Sequence, residues 1–180
     1  MRIALAEPDD WNPVLHQIDA DFGQGVTEKL RADRIPIILR MDGGLSFYLV
    51  PREWLDRIMV ESESFDPHML GLWLGDMKRG EFKLALPVLH HIVPLTDKRI
   101  VVSRHAAEAF TYGRSILKES VLKIESSLQR GQQVLVLNTD DECMGLAALS
   151  VDAGRLQLLS AHELVAKNVM DIGWYLRRFS

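Results

Sequence analysis

Apolar residues recur at helical spacing first at Trp11, Val14, Leu15, Ile18 and Phe22. This stripe predicts a helix capped by Asp10 or Asn12, with Pro13 in its first turn and Gly23 at its end. The pattern then becomes β-rich: Ile35 to Arg40 and Leu45 to Val50 flank Asp42-Gly43-Gly44, which predicts a hairpin. Pro51 opens a second helix, whose Trp54, Leu55, Ile58 and Met59 are expected to form a buried stripe. A second hairpin is expected from Leu70 to Leu74 and Phe82 to Leu86 around Lys78-Arg79-Gly80. Pro87 cannot donate to a ladder, so the strand should stop there and give way to a short helix through Val93.

Pro94 is a natural stop, and the domain boundary is placed at Val93 to Asp97. Beyond it lies a short strand, Arg99 to Val102, and then a helix from Arg104 to Tyr112 that Ser103 can cap and Gly113 can end. Further runs follow at Gln133 to Leu137, Gly145 to Val151, Arg155 to Leu159 (after a turn at Gly154) and Leu164 to Asn168. Asp171 can cap a last helix, Ile172 to Arg178. Several short strands within about 85 residues predict a small closed barrel.

Composition removes several alternatives. At 47% apolar and 26% charged, the 180-residue chain has ordinary globular usage. No apolar run approaches the ~18 to 20 residues that span a bilayer. Met1 to Ala6 is too short for a signal peptide. A single cysteine, Cys143, allows neither an intrachain disulfide nor a thiolate zinc cluster, as expected of a reducing compartment. The net charge of −4 is unevenly spread: residues 1–94 hold 10 Lys and Arg against 15 Asp and Glu, and residues 95–180 hold 11 against 10.

No spacing assembles a catalytic centre. His90 and His91 are adjacent, so on a helix they point about 100° apart and cannot share one metal; one buried and one exposed histidine is the expectation. Asp140-Asp141-Glu142 lacks the alternating ligands and central glycine of a calcium loop and reads as a solvated turn. Cys143 has no basic neighbour to lower its pKa and reads as a small buried hydrophobe. Gly71, Gly75 and Gly80 are not followed by the Gly-Lys-Ser/Thr of a P-loop. The cations offer more: Lys98, Arg99, Arg104, Arg114, Lys118 and Lys123 surround the helix that opens the second half, and Arg177 and Arg178 close the chain. Grouped bases of this kind supply most non-specific RNA affinity.

Tyr112-Gly113-Arg114-Ser115-Ile116-Leu117-Lys118, just after an amphipathic helix, resembles the start of a PUA domain. This is the small RNA-binding barrel named after pseudouridine synthases and archaeosine transglycosylases. The closing Asp171-Ile172-Gly173-Trp174-Tyr175-Leu176-Arg177 is similar to the ending found in the Nip-seven family of large-ribosomal-subunit biogenesis factors and their archaeal relatives. Gly145 to Ser150 fits that family's Gly-hydrophobe-Ala-Ala-x-Ser segment. Val50-Pro51-Arg52-Glu53-Trp54-Leu55 and the Gly80, Phe82, Lys83, Leu86 core fit its first half. The likeness covers about residues 35 to 178. Two departures stand out: Cys143 replaces a glycine, and only Arg155 remains where relatives carry several bases, beside Leu156, Leu158 and Leu159.

The resemblance implies an α+β protein with an antiparallel-sheet pre-PUA domain at 1–94 and a PUA β-barrel at 95–180. It implies a non-catalytic protein without cofactor or metal. Such a protein binds ribosomal RNA or a pre-ribosomal particle, while its acidic first domain meets other assembly factors. Single-stranded RNA would be held by phosphate contacts and stacking, at Arg114, Lys118, Arg155, Lys167, Arg177 and Arg178. The location implied is cytoplasmic, or nucleolar in a eukaryote, with no membrane partner. The alternative is part of a PUA-containing RNA-modifying enzyme of the pseudouridine synthase or transglycosylase type, although the first half is short for such a core and shows no catalytic aspartate motif. A pure protein-interaction module is a third reading, and it predicts no salt-sensitive RNA binding.

Overall fold

The computed structural model describes residues 2–41, 43–61 and 70–174. The chain divides into two compact units, residues 1–91 and 92–180.

The first unit is built on a five-stranded antiparallel sheet in sequence order: β1 (Arg2–Leu5), β2 (Arg34–Met41), β3 (Gly44–Pro51), β4 (Leu72–Lys78) and β5 (Glu81–Leu84). Both faces of its centre are buried. Ile37, Leu39, Tyr48 and Val50 cluster with Ile58 and Leu70, while the intervening Ile38, Phe47 and Leu49 are as fully buried on the opposite face. Phe47 meets Phe82 edge to face at 5.9 Å. Three helices accompany the sheet: α1 (Pro8–Phe22), α2 (Val26–Arg31) and α3 (Leu55–Glu61). Helix α1 buries Trp11, Val14, Ile18 and Phe22 as expected, but it starts earlier than expected. Glu7 is its N-cap and Pro8 takes the first turn, where a missing N–H costs nothing. Pro13 therefore lies inside the helix. Asp19 fastens α1 to α2, accepting hydrogen bonds from the Thr27 amide and hydroxyl, both at 2.8 Å, and from the Gly25 amide at 3.1 Å. Burial works against its charge, yet these donors hold the carboxyl below its ordinary range.

The expected stripe on the second helix is only partly buried. Trp54 belongs to a 3-10 turn, Arg52–Trp54, that precedes α3 and advances about 120° per residue. The change of phase leaves Trp54 48% exposed while Ile58 is buried. The side chain of Met59 and residue Asp42 of the first turn lie outside the described residues. The second hairpin turns on Arg79 and Gly80, both at positive φ, the geometry of a tight two-residue turn. After β5 the chain forms a 3-10 turn containing Pro87 and then the short helix α4 (Leu89–Ile92).

The second unit is a six-stranded sheet in the order β7-β11-β10-β9-β6-β8. Its strands are β6 (Arg99–Val102), β7 (Ile116–Leu117), β8 (Val121–Ile124), β9 (Gln133–Leu137), β10 (Cys143–Leu149) and β11 (Leu164–Asp171). The end strands β7 and β8 are joined through one 3-10 turn, Lys118–Ser120, so the sheet curls nearly shut into the expected small barrel. The run after Gly154 is mostly a 3-10 helix, Ala153–Leu158, with Leu156 turned into the core. Helix α5 (Arg104–Thr111) supplies Ala107 and Phe110 to a core that also holds Ile100, Ile116, Val134, Val136, Leu149 and Val165. Every residue of this core lies between 100 and 166. Residues 95–180 expressed alone are accordingly expected to fold, with native-like amide dispersion by NMR. A collapsed spectrum would show that the first half is needed to complete the core.

Candidate nucleic-acid interface

The geometry starts at helix α5. Ser103 caps it, its hydroxyl accepting from the Ala106 amide at 3.3 Å. Gly113 stops it at φ +84, in the left-handed region that glycine enters without penalty. Tyr112, Gly113 and Arg114 turn their amides back onto the last carbonyls of the helix, satisfying groups that a helix end leaves open. The chain then enters β7, which pairs with β11. Two hydrogen bonds tie this connection to β11. The Asn168 side-chain amide donates to the Phe110 carbonyl at 2.9 Å, and the Asn168 backbone amide donates to the Ser115 hydroxyl at 3.5 Å.

The connection bearing Tyr112 and Arg114 is thereby held against the strand bearing Lys167 and Val169. Arg114 and Lys167 are exposed, and neither has an ion-pair partner among the described residues. Tyr112 is 72% exposed and Val169 54%. Ala147 stands opposite Asn168 and Leu146 opposite Met170, so Val169 is the unmatched residue of a β-bulge. A bulge re-aims its extra side chain, and here the residue ends outside the core.

The other expected contacts are more scattered. Lys118 is half-buried in the 3-10 turn after β7, its amide donating to the Glu163 carbonyl at 2.9 Å. Glu119, its neighbour in sequence, pairs with His162 at 3.2 Å. Arg155 is exposed on the 3-10 helix between β10 and β11, in a loop whose Ala153 amide bonds the Leu128 carbonyl. The structure brings Arg114 and Lys167 to one edge of the barrel and leaves Arg155 on a separate loop. Arg177 and Arg178 lie outside the described residues, as does the end of the last helix. Its start is described, and Asp171 caps it as expected, accepting from the Trp174 amide at 2.7 Å.

Two neighbours of this edge were not among the expected contacts. Tyr112 was legible: with Ala107 and Phe110 defining the buried face of α5, a residue two positions past Phe110 points away from it. Val169 carries no such signal, because a bulge is set by the pairing of two distant strands.

The remaining candidates take ordinary places. Both His90 and His91 are exposed, which corrects the expectation that one is buried; Leu89 and Ile92 take the buried positions of α4 and leave the two histidines outside the core. Burial of its surroundings, the nearby Arg34 and His90 lower the pKa of His91. The acidic turn is organised by Asn138, whose side-chain oxygen accepts from the Asp140 and Glu142 amides at 2.9 Å each. Cys143 is buried, and burial pushes its thiol up to about 11. The thiol is therefore expected to resist iodoacetamide at neutral pH until denaturant is added. An unfolded thiol ionises near 9.0, so this group leaves stability unchanged below that pH and lowers it as pH rises from 9.0 toward 11. Cys143→Ala should abolish that alkaline component, cost on the order of 1 kcal/mol at neutral pH and leave RNA affinity unchanged.

Comparison with known proteins agrees with this architecture. The UPF0113 PUA domain family matches residues 98–180. The chain is 24% identical over 157 residues to the 60S ribosome subunit biogenesis protein nip7 of Schizosaccharomyces pombe, covering 87% of this chain and 86% of that one. It is 27% identical over 112 residues to a UPF0113 protein of Archaeoglobus fulgidus, covering 62% and 63%. A PUA domain structure from Aeropyrum pernix superposes with a TM-score of 0.63 at 14% identity, covering 98% of this chain and 91% of that one, a likeness of fold. Residues 98–180 match the UPF0113 PUA domain family, in line with the strand order of the barrel and with the resemblance to the Nip-seven family read from its motifs.

Proposed function

We propose that this chain is a non-catalytic RNA-binding protein that assists assembly of the large ribosomal subunit. The observation that carries the reading is the match to a ribosome subunit biogenesis protein across 87% of the chain, reaching well beyond the PUA domain. The barrel docks RNA, with Arg114 and Lys167 at the centre of the contact and Lys118, Arg155, Arg177 and Arg178 extending it. The acidic first half meets protein factors. Clustered cations give such a surface a salt-dependent affinity for phosphates. Crosslinking the protein to RNA in its own cells and sequencing the bound fragments tests the reading. Fragments concentrated in large-subunit rRNA precursors are expected, and a spread over unrelated transcripts would overturn the ribosomal role.

A further inference from the structure

Tyr112 combines three properties that none of its neighbours shares. The residue is 72% exposed, its own amide closes the last turn of the helix, and the loop that follows it is tied to β11 through Asn168. An aromatic ring left in water on a mobile tail carries little information; a ring on an anchored backbone is a pre-organised surface. In the strand to which that loop is tied, the bulge exposes the aliphatic Val169, and Arg114 and Lys167 supply positive charge. Apolar ring, aliphatic neighbour and flanking cations together match a nucleotide, which offers a π-face and a phosphate at once. A protein partner would need a wider apolar area than one ring and one valine.

We propose that Tyr112 is the stacking platform for an unpaired RNA base, with Arg114 and Lys167 holding the adjoining phosphates, so that the barrel selects single-stranded over duplex RNA. The inference rests on the RNA-binding reading above. A base within a duplex already stacks on its neighbours and cannot lie on the tyrosine without leaving the helix. Stacking is indifferent to ionic strength, whereas phosphate contacts are not. The two contributions therefore separate in a salt titration.

The test uses the full-length protein and a single-stranded RNA of about ten nucleotides carrying a fluorescent purine analogue, with its duplex as competitor. Tyr112→Ala is expected to weaken binding about tenfold, the value of one stacked base, with no change in the slope of log K against log salt. Tyr112→Phe should restore the affinity, and the analogue's fluorescence should change on binding the wild type and not Tyr112→Ala. Unchanged affinity of Tyr112→Ala, or duplex bound as tightly as single strand, would overturn stacking while leaving the RNA-binding reading intact. Absence of salt-sensitive binding by the wild type would overturn both. The fluorescence change on the wild type keeps the proposal testable should Tyr112→Ala fail to fold.

Discussion

Gly145→Ala is expected to destabilise the barrel by about 3 to 5 kcal/mol, a large part of the ~5 to 15 kcal/mol that typically holds a domain together. Gly145 sits in β10 at φ +147, a conformation that other residues rarely adopt. A Cβ there would stand 2.0 Å from the Met170 carbonyl oxygen and 2.9 Å from the Asp171 Cα. Both obstacles are backbone in the paired strand β11, so neither can rotate aside. Dihedral strain of about 1 to 3 kcal/mol adds to an overpacking cost of similar size. Gly131→Ala is the control. Gly131 also has positive φ, but nothing lies within 4 Å of its missing Cβ, so only the dihedral cost applies. Denaturant midpoints of the two variants should differ clearly. Equal midpoints would show that β10 and β11 separate readily at this point.

The double variant Arg114→Ala, Lys167→Ala is expected to flatten the slope of log K against log salt for single-stranded RNA by about 1.4, at ~0.7 per phosphate contact. Both side chains are exposed and without ion-pair partners among the described residues, so their removal should cost little stability. A loss of affinity in the double variant can then be assigned to the interface. Arg155→Ala, on its separate loop, should change the slope by at most one contact. Titration by fluorescence anisotropy at several salt concentrations checks both. A larger loss from Arg155→Ala than from the double variant would move the centre of the RNA surface to the loop between β10 and β11.

The pattern of residues was enough to identify elements whose signals are local. Strands β6 and β9 occupy the expected ranges. Helix α5 begins at its expected cap, and Asp171 caps the turn after β11. In each case a run of apolar residues is punctuated by a residue whose side chain or missing side chain does the stopping. The hairpin around Gly43 and the one around Gly80 were legible for the same reason, since turn chemistry resides in the turn. The family motifs added the order of the two halves and the PUA barrel.

Other features depend on what a residue meets from far along the chain. β1, β7 and β8 exist because a neighbouring strand offers them a ladder. Trp54 looked like core from its spacing, and a local 3-10 turn altered its phase. The candidate interface shows the same division. Arg114 and Lys167 were legible as cations, but 53 residues separate them in sequence. Only the pairing of β7 with β11 and the Asn168 hydrogen bonds bring their backbones together. Lys118 is equally basic by sequence, yet the fold half-buries it in the turn after β7 and ties its amide to the Glu163 carbonyl. Charge belongs to the residue, whereas its exposure and its neighbours are set by the strands packed beside it, and this decided which of the expected cations share one edge of the barrel.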